Sequence, residues 1–515
     1  MEWETKKDLY RSEKLLMKVT LPLGYLSYQV KKRKNPSAYF TVGELFSAAG
    51  LDIDIQSDEI RNKVDDIVSG VCRIGSRFTK GCICVQLYED AIDLMRIAIK
   101  KGALFCITNR AIEGVPCVVV ENPIEVYADM CRLYYSSHVS TTAIVGSIGK
   151  TTTKKMVQCV YQSQVPTFCD AGNDNQLDCV GYIGQHIPAD AKAWIQEVSE
   201  DTRGCVEQIS KIIQPNIAII TAVDKSHIEE FGDEQGIYNE ISSITSHMPE
   251  DGICIVSIDE ENTAKLIKNR KTVTVSTKSR DADFYATDIE VLLDGLKFKV
   301  LERKSENLYD IHLKNAYARH NVYSALYAFA AGVILGISYD NIIKGLQEYK
   351  PIGIRQNVYK AKGITVYADC YNAVAKSVRS AINATHEIPV CGKRVAVLGD
   401  IAETGAFNEQ THDEIIDIVN SSNFNVFFAL GNDICSATNR NLIREDIDVV
   451  RCSNRSELNK KLKKCLKKGD LVLFKASHSM MLEKTIKKLF PMKYALKKIE
   501  YYWPQIIWRM KVLFN

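Results

Sequence analysis

Residues 141–157 read Thr-Thr-Ala-Ile-Val-Gly-Ser-Ile-Gly-Lys-Thr-Thr-Thr-Lys-Lys-Met-Val. The apolar start predicts a buried strand, the glycines predict a tight turn, and the polar run after them predicts the first turns of a helix. In this order, Gly146 and Gly149 allow successive backbone N–H groups to face a polyphosphate, and the helix N-terminus adds partial positive charge. The stretch therefore predicts a phosphate-binding loop inside an α/β domain.

The side chains that follow the glycines give the loop its chemistry. Lys150 is expected to reach the β- and γ-phosphates of a nucleotide, and the Thr151 hydroxyl is expected to hold Mg²⁺. The general P-loop pattern carries a further upstream glycine where this chain has an apolar residue, so the loop is a variant. We predict ATP and Mg²⁺ as cofactors. The predicted phosphate-contacting residues are Gly146, Ser147, Gly149, Lys150, Thr151 and Thr152.

Composition sets the scale of the protein. A chain of 515 residues with 46% hydrophobic and 25% charged residues is typical of globular proteins and long enough for roughly three domains of ~100–200 residues. Lys plus Arg number 66 and Asp plus Glu 63, which gives no reason to expect nucleic acid as a partner. The 16 cysteines form no Cys-x-x-Cys pair, and we see no secretory leader. Reduced thiols in a cytoplasmic protein are therefore expected.

Alternating strand and helix patterns predict three α/β domains. Residues 39–139 are predicted to form a small N-terminal α/β domain. Residues 140–348 are predicted to form a central ATP-binding domain, because continuous apolar runs such as 216–223 are typical of a parallel sheet covered on both faces. Residues 349–490 contain short strands followed by polar or glycine residues, which predicts a Rossmann-like C-terminal domain.

The two ends of the chain differ from the predicted domains. Residues 1–38 are predicted to form an arm, in which the apolar stretch 15–26 is interrupted by Pro22 and Gly24 and is followed by the basic run 31–34. Residues 491–515 interleave aromatic and basic residues. Both segments fit packing on the protein's own surface, with peripheral contact to an anionic membrane as the alternative. Pro504 interrupts the helical period of the tail, which favours packing there.

Two polar residues at predicted strand ends suggest a metal site. Glu197 ends one strand, and His227 follows the end of the next strand along the chain. A lone Glu or His at a strand end is usually a polar residue at the edge of a sheet. Here both residues follow the phosphate loop within the same predicted domain, which favours a metal site. A carboxylate and an imidazole there could hold a divalent cation near the γ-phosphate. The predicted metal ligands are Thr151, Glu197 and His227.

A series of short motifs extends this pattern along the chain. They are Gly-Ser-x-Gly-Lys-Thr-Thr-Thr (146–153), Glu197, Ser-His-Ile-Glu-Glu-Phe-Gly (226–232), Arg-His-Asn (319–321), Asp-Cys-Tyr-Asn-Ala (369–373) and Lys-Ala-Ser-His-Ser-Met (475–480). In this order they resemble the Mur ligases, over about residues 70–490. The resemblance implies a three-domain enzyme that activates a substrate carboxylate as an acyl phosphate with ATP and then joins it to an amine.

The resemblance also implies roles for individual residues. Lys150, Glu197, His227, Arg355 and Asp369 would be catalytic. Asn321 would contact adenine, and Arg355 and Asp369 would meet the nucleotide when the third domain closes. The implied substrates are a UDP-muramoyl tripeptide and D-alanyl-D-alanine, and the implied enzyme is a monomer. A different acid and amine pair, or nucleotide binding without ligase turnover, are the alternatives.

The chain departs from the family pattern at a position expected to assist the second metal. Counting from the Phe-Gly of 231–232, the family's modified lysine falls on Ile241, and residues 233–244 contain no lysine. The neighbouring Glu240 could supply a carboxylate in place of this lysine, but one residue along a helix rotates the side chain by ~100°, which disfavours the substitution. In the N-terminal domain the uridine-site motif reads Gly-Ser-Arg at 75–77, without the family's first aspartate.

Overall fold

The computed structural model describes residues 39–72, 80–86, 92–134, 139–169, 175–188, 190–223, 228–265, 270–292, 294–314, 316–351, 354–402 and 404–490. Within these ranges the chain folds into three α/β domains, each built on its own main sheet. His227, the 75–77 motif and both terminal segments lie outside the described residues. The α/β fold class predicted from the sequence is confirmed.

The N-terminal domain contains a four-stranded parallel sheet of order β3-β4-β5-β6 and a small antiparallel pair, β1-β2. Its strands are β1 (Phe40–Thr41), β2 (Ile67–Val68), β3 (Val71–Cys72), β4 (Ile83–Val85), β5 (Phe105–Thr108) and β6 (Cys117–Val119). Its helices are α1 (Val42–Ala48), α2 (Asp58–Arg61), α3 (Ile92–Lys100) and α4 (Pro123–Leu133). Asn122 caps α4 by accepting from the backbone N–H groups of Ile124 and Glu125.

The central domain is built on a nine-stranded sheet of order β15-β14-β13-β12-β11-β10-β7-β9-β8. Its strands are β7 (Ser140–Val145), β8 (Thr167–Cys169), β9 (Ala193–Glu197), β10 (Ile217–Ile220), β11 (Ile253–Ser257), β12 (Thr272–Ser276), β13 (Phe284–Leu292), β14 (Gly295–Glu302) and β15 (Asn307–Lys314). Its helices are α5 (Lys150–Gln162), α6 (Leu177–Gly184), α7 (Cys205–Ile213), α8 (Ile228–Phe231), α9 (Glu234–Ser242), α10 (Glu261–Ala264), α11 (Asn321–Ile334) and α12 (Tyr339–Gln347).

The predicted parallel sheet accounts for only part of this domain. The strands from β8 to β13 pair in parallel, but β13, β14 and β15 form an antiparallel extension at one edge. Along β14 buried and partly exposed residues largely alternate, in contrast to the wholly buried β9 and β10. Such alternation is typical of an antiparallel sheet with one solvent-facing side. These strands contain no continuous apolar run, which is the pattern that predicted the parallel strands, so they were not predicted from the sequence.

The N-terminal and central domains share one hydrophobic core, which runs from Val42 to Val256. The side chain of Gln185 pairs with the backbone of Val71, accepting from its N–H at 2.9 Å and donating to its C=O at 2.8 Å. The Tyr127 hydroxyl donates to the carbonyl of Asp178 at 2.9 Å. Because apolar burial is continuous across the boundary, the two domains are held together by core packing as well as by these polar contacts.

The C-terminal domain has a six-stranded sheet of order β16-β17-β21-β18-β19-β20, parallel except for the edge strand β16. Adjacent residues Val366 and Tyr367 belong to two different cores, so helices cover both faces of the sheet. The strands are β16 (Asn357–Ala361), β17 (Ile364–Ala368), β18 (Arg394–Gly399), β19 (Val426–Leu430), β20 (Asp448–Cys452) and β21 (Leu471–Lys475). The helices are α13 (Ala375–Glu387), α14 (Asn408–Asn420), α15 (Asn432–Arg440), α16 (Arg455–Cys465) and α17 (Leu482–Leu489).

The state of the cysteines can be compared with the expectation from composition. All 16 cysteines are free thiols, as predicted. In the part of the chain that the structure describes, no helix combines the length and the apolar character needed to cross a bilayer.

Candidate functional site

The phosphate loop lies where the sequence places it, between β7 and α5. Gly146 has φ 132° and Gly149 has φ 89°, conformations that favour glycine at both ends of the turn. A Cβ atom on Gly146 would lie 2.5 Å from Thr221 Oγ1 and 2.7 Å from the carbonyl oxygen of Ala222. The backbone N–H of Ser147 donates to that carbonyl at 3.0 Å. The loop is therefore packed directly against the carboxyl end of β10.

Lys150 begins α5 and takes part in an ion pair that the sequence analysis did not predict. Its ammonium donates to the Gly146 carbonyl at 2.6 Å and to the two carboxylate oxygens of Glu200 at 2.7 and 2.8 Å. The Glu200 side chain is 1% exposed, and that of Lys150 is 16% exposed. The lysine predicted to bind phosphate is thus held by a buried carboxylate.

Thr151 and Glu197, two of the predicted metal ligands, are in contact. The Thr151 hydroxyl donates to Glu197 Oε1 at 3.2 Å, and the Asn175 amide donates to the same oxygen at 3.2 Å. Glu197 Oε2 is buried and accepts no hydrogen bond from any described residue. The ammonium of Lys154, which is also buried, lies 3.5 Å from that oxygen, as an ion pair without hydrogen-bond geometry. Glu197 Oε2 therefore faces a buried ammonium without accepting a hydrogen bond from the described residues.

The carboxylate considered as a substitute for the family lysine has another role. Glu240 accepts from the backbone N–H groups of Gly204 at 2.7 Å and Val206 at 2.8 Å, at the start of α7. A carboxylate there satisfies unpaired N–H groups and complements the positive end of the helix. Ile241 is fully buried in the hydrophobic core. Neither residue is available as a metal ligand in this arrangement.

The first turn of α11 lies beside the phosphate loop. Thr153 Oγ1 donates to Ser324 Oγ at 3.0 Å, and Ser324 Oγ is also the nearest atom to a Cβ built on Gly149, at 4.0 Å. Asn321, three residues earlier, shares the Ser324 face of the helix. Its side chain is 2% exposed, and its Oδ1 accepts no hydrogen bond from the described residues. This buried oxygen can accept a hydrogen bond from a ligand.

Arg355 and Asp369 lie on the edge of the C-terminal domain that faces α11. Asp369, just after β17, accepts from the Gln356 backbone N–H at 3.1 Å and forms an ion pair with the Lys475 ammonium at 3.0 Å. The Arg355 guanidinium stacks over the Tyr371 ring, with 3.6 Å between Cζ and the ring centroid. The polar ends of two neighbouring strands therefore hold both predicted residues.

His320 joins the central and C-terminal domains. Its Nδ1 is hydrogen-bonded to the Ser380 hydroxyl, and the Gln356 amide lies 2.5 Å from its Nε2. Burial lowers the pKa of His320, and the nearby Asp369 carboxylate partly opposes this shift. Through His320 and Gln356, the helix turn that carries Asn321 is connected to Asp369.

The predicted site residues are thus distributed as follows. The structure brings Thr151 and Glu197 into contact, places Lys150 at the loop, and links the Asn321 turn to Asp369. Thr152 lies in the first turn of α5, next to Thr151. His227 lies outside the described residues. The quoted sequence motifs include His320 and Lys475 without assigning them a role, and they do not include Lys154, Glu200 or Gln356. Glu200 lies three residues after Glu197, and this spacing was the one signal that could have identified it.

Two protein-family models match the parts of the chain that contain these site residues. The family model described as Mur ligase middle domain matches residues 144–332, which contain the loop, Glu197 and Asn321. The family model described as Mur ligase, glutamate ligase domain matches residues 355–478, which contain Arg355 and Asp369. Together the two models cover more than half of the chain.

Individual proteins show the same similarity over most of their length. The UDP-N-acetylmuramoyl-tripeptide–D-alanyl-D-alanine ligase of Bacillus subtilis is 27% identical, covering 78% of this chain and 88% of the relative. The enzyme of that name from Escherichia coli is 25% identical, covering 85% and 96%. Among solved structures, MurF from Acinetobacter baumannii aligns with a TM-score of 0.76 at 22% identity, covering 89% and 100%. MurF ligase from Thermotoga maritima in complex with ADP aligns with a TM-score of 0.70 at 22% identity, covering 82% and 96%.

Proposed function

The chain belongs to the Mur ligase family, and on that premise we propose that it adds D-alanyl-D-alanine to UDP-N-acetylmuramoyl tripeptide in peptidoglycan precursor synthesis. The two curated relatives described above carry this activity in their names and align over 88% and 96% of their own length. The same activity was implied by the motifs read from the sequence. Cytoplasmic location and a monomeric enzyme are part of the proposal.

The observation that carries the proposal is the grouping around the phosphate loop. Lys150, Thr151 and Glu197 converge there: Lys150 donates to the Gly146 carbonyl, and Thr151 donates to Glu197. Asn321 supplies a buried, unpaired carbonyl oxygen one helix turn from Ser324, which packs beside the loop. Such an oxygen suits the amino group of adenine. A phosphate cradle and an acceptor for a base together favour ATP.

The residues present fit a magnesium ion. Mg²⁺ prefers oxygen ligands, and the Thr151 hydroxyl and the Glu197 carboxylate meet at the first turn of α5. Glu197 Oε2 is buried and accepts no hydrogen bond from the described residues, and a metal ion there would share it with the Lys154 ammonium, which lies 3.5 Å away. We propose Thr151, Glu197 and His227 as ligands. Bound there, the ion would offset negative charge on the phosphates.

The reaction then proceeds in two steps. An oxygen of the substrate carboxylate attacks the γ-phosphorus, the bond to ADP breaks, and an acyl phosphate forms. The amine nitrogen of the dipeptide attacks the acyl carbon, phosphate leaves, and the nitrogen gives up a proton. Lys150 stabilises the transferring phosphoryl group by its charge. The acyl phosphate must be protected from water, and we assign this task to the C-terminal domain that carries Arg355 and Asp369.

One observation favours a second candidate, a nucleotide-binding protein without ligase turnover. Ile241 occupies the position of the family lysine, and Glu240 is committed to the N-terminus of α7. The protein would then keep the loop and lose a group that assists catalysis. A further alternative, ligation of a different acid and amine, shares the mechanism and differs only in substrate.

Phosphate release from ATP in the presence of Mg²⁺ distinguishes these candidates. We expect release only when UDP-muramoyl tripeptide and D-alanyl-D-alanine are both present, with an amide product detected by mass spectrometry. Lys150→Ala should abolish turnover. Binding of ATP without phosphate release under these conditions would overturn the proposed reaction and leave the second candidate or another substrate pair.

A further inference from the structure

Glu200 is a buried carboxylate that accepts hydrogen bonds from Lys150, the lysine proposed to bind phosphate. It has no role in the proposed reaction. It follows β9, three residues after Glu197, and both of its oxygens accept from the Lys150 ammonium, at 2.7 and 2.8 Å. Glu197 and Glu200 are 2% and 1% exposed. The end of β9 therefore places two buried carboxylates close to a site for polyphosphate.

The hydrogen bonds of Lys150 leave little capacity for a phosphate. An ammonium group has three N–H donors, and the Gly146 carbonyl and the Glu200 carboxylate are its acceptors here. For Lys150 to contact a phosphate oxygen, it must release Glu200 or share its charge with it. A buried carboxylate that loses a cationic partner is destabilised, and negative phosphates nearby increase the penalty.

We propose that Glu200 competes with nucleotide phosphates for Lys150 and so makes nucleotide binding depend on a divalent cation. When Lys150 turns to the phosphates, Glu200 loses the ammonium that both of its oxygens contact, and a divalent cation held by oxygen ligands at this strand end compensates for the lost positive charge. The inference rests on the proposed function in one respect, that the loop binds ATP. It assigns Glu200 the role of a positioning residue that acts through Lys150.

Equilibrium binding of a fluorescent ATP analogue to the full-length chain tests this role. Dissociation constants are measured with Mg²⁺ and with EDTA, for the wild type and for Glu200→Gln, which keeps the side-chain shape and removes the charge. In EDTA we expect the variant to bind about 10- to 100-fold more tightly, the range that corresponds to one hydrogen bond to a charged group. With Mg²⁺ the two proteins should differ by less than about threefold.

Glu302→Gln is the matched control. Glu302 is a buried carboxylate of the same domain, but it lies on β14, and it accepts from the hydroxyls of Ser305, Tyr309 and Tyr339. β14 stands five strands from β7 in the sheet order. Removing the Glu302 charge should leave nucleotide affinity in EDTA unchanged. Thermal unfolding of each variant reports whether the fold is retained.

Three results would overturn the inference. One is that the wild-type protein binds the ATP analogue equally tightly in Mg²⁺ and in EDTA, a result that is measured without any variant. Another is a Glu200→Gln protein that binds no more tightly than the wild type in EDTA, or more weakly in both conditions, as expected if Glu200 only holds Lys150 in place. Either result would leave the proposed ATP site unaffected. Absence of nucleotide binding in all conditions would overturn both this inference and the proposed function.

Discussion

Replacing Gly146 by alanine tests whether close packing on β10 fixes the shape of the phosphate loop. The new Cβ would lie 2.5 Å from Thr221 Oγ1 and 2.7 and 2.9 Å from the backbone oxygen and nitrogen of Ala222. Two of these three atoms are backbone atoms at the end of a central strand, so they cannot move aside as a flexible side chain could. The loop itself must shift.

Three costs combine in this variant. A non-glycine residue at positive φ costs about 1–2 kcal/mol. Forcing an extra carbon into a packed site costs about 1–3 kcal/mol. Displacing the loop also breaks the hydrogen bond from the Ser147 N–H to the Ala222 carbonyl, worth about 0.5–1.5 kcal/mol. Gly149→Ala carries only the first cost, because its Cβ would meet nothing closer than Ser324 Oγ at 4.0 Å. The Gly146→Ala variant should therefore be less stable than the Gly149→Ala variant by about 2 kcal/mol or more.

Chemical denaturation followed by tryptophan fluorescence measures this difference. The chain has four tryptophans, and Trp194 is the one within the described ranges. It is fully buried on β9 and pairs in register with Thr141 of β7, the strand that leads into the loop. Nucleotide affinity, measured on the same samples, should fall further for Gly146→Ala than for Gly149→Ala.

Equal unfolding midpoints for the two alanine variants would refute the packing argument. So would a Gly146→Ala protein with wild-type nucleotide affinity, because the loop would then tolerate the displacement that the Cβ requires. Gly204→Ala provides a control for positive φ away from the site, since Gly204 has φ 75° and no neighbour within 4 Å of its Cβ position.

Three further predictions concern the C-terminal domain and its link to the central domain. Asp369→Asn should lower stability by about 3 kcal/mol in thermal unfolding, because it leaves the buried Lys475 ammonium without its charged partner. Adding Lys475→Met to this variant should recover most of the lost stability. A double variant that recovers none of it would contradict the ion pair. Arg355→Lys should cost about 0.5–1 kcal/mol of stability, because lysine cannot stack its charge flat on Tyr371, and a wild-type unfolding midpoint would argue against the stacking. Burial lowers the pKa of His320 below its usual ~6.5, so the stability it contributes is complete above about pH 6.5 and is lost as pH falls towards the folded-state pKa. The unfolding midpoint should therefore fall more steeply between about pH 7 and 5 in the wild type than in His320→Asn, and parallel curves would contradict this.

Local pattern in the sequence predicted much of the fold and part of the site. The strand, glycine turn and helix of residues 140–162 appear as predicted, because backbone geometry and helix start signals act over a few residues. Thr151 and Glu197 were both identified as candidate ligands, since each ends or begins a regular element at one edge of a parallel sheet. Domain limits, substrate and metal ligation remain predictions.

The sequence by itself determined the phosphate loop, the buried parallel strands and the three α/β domains, because these depend on residue order and short-range periodicity. Only the tertiary structure decided the partners of the charged groups. Glu200 meets Lys150 across 50 residues, and Gln356 meets His320 across two domains. The antiparallel strands β13 to β15 and the core shared by the first two domains also emerged there. These contacts depend on how separate elements pack, and periodicity along the chain contains no information about that packing.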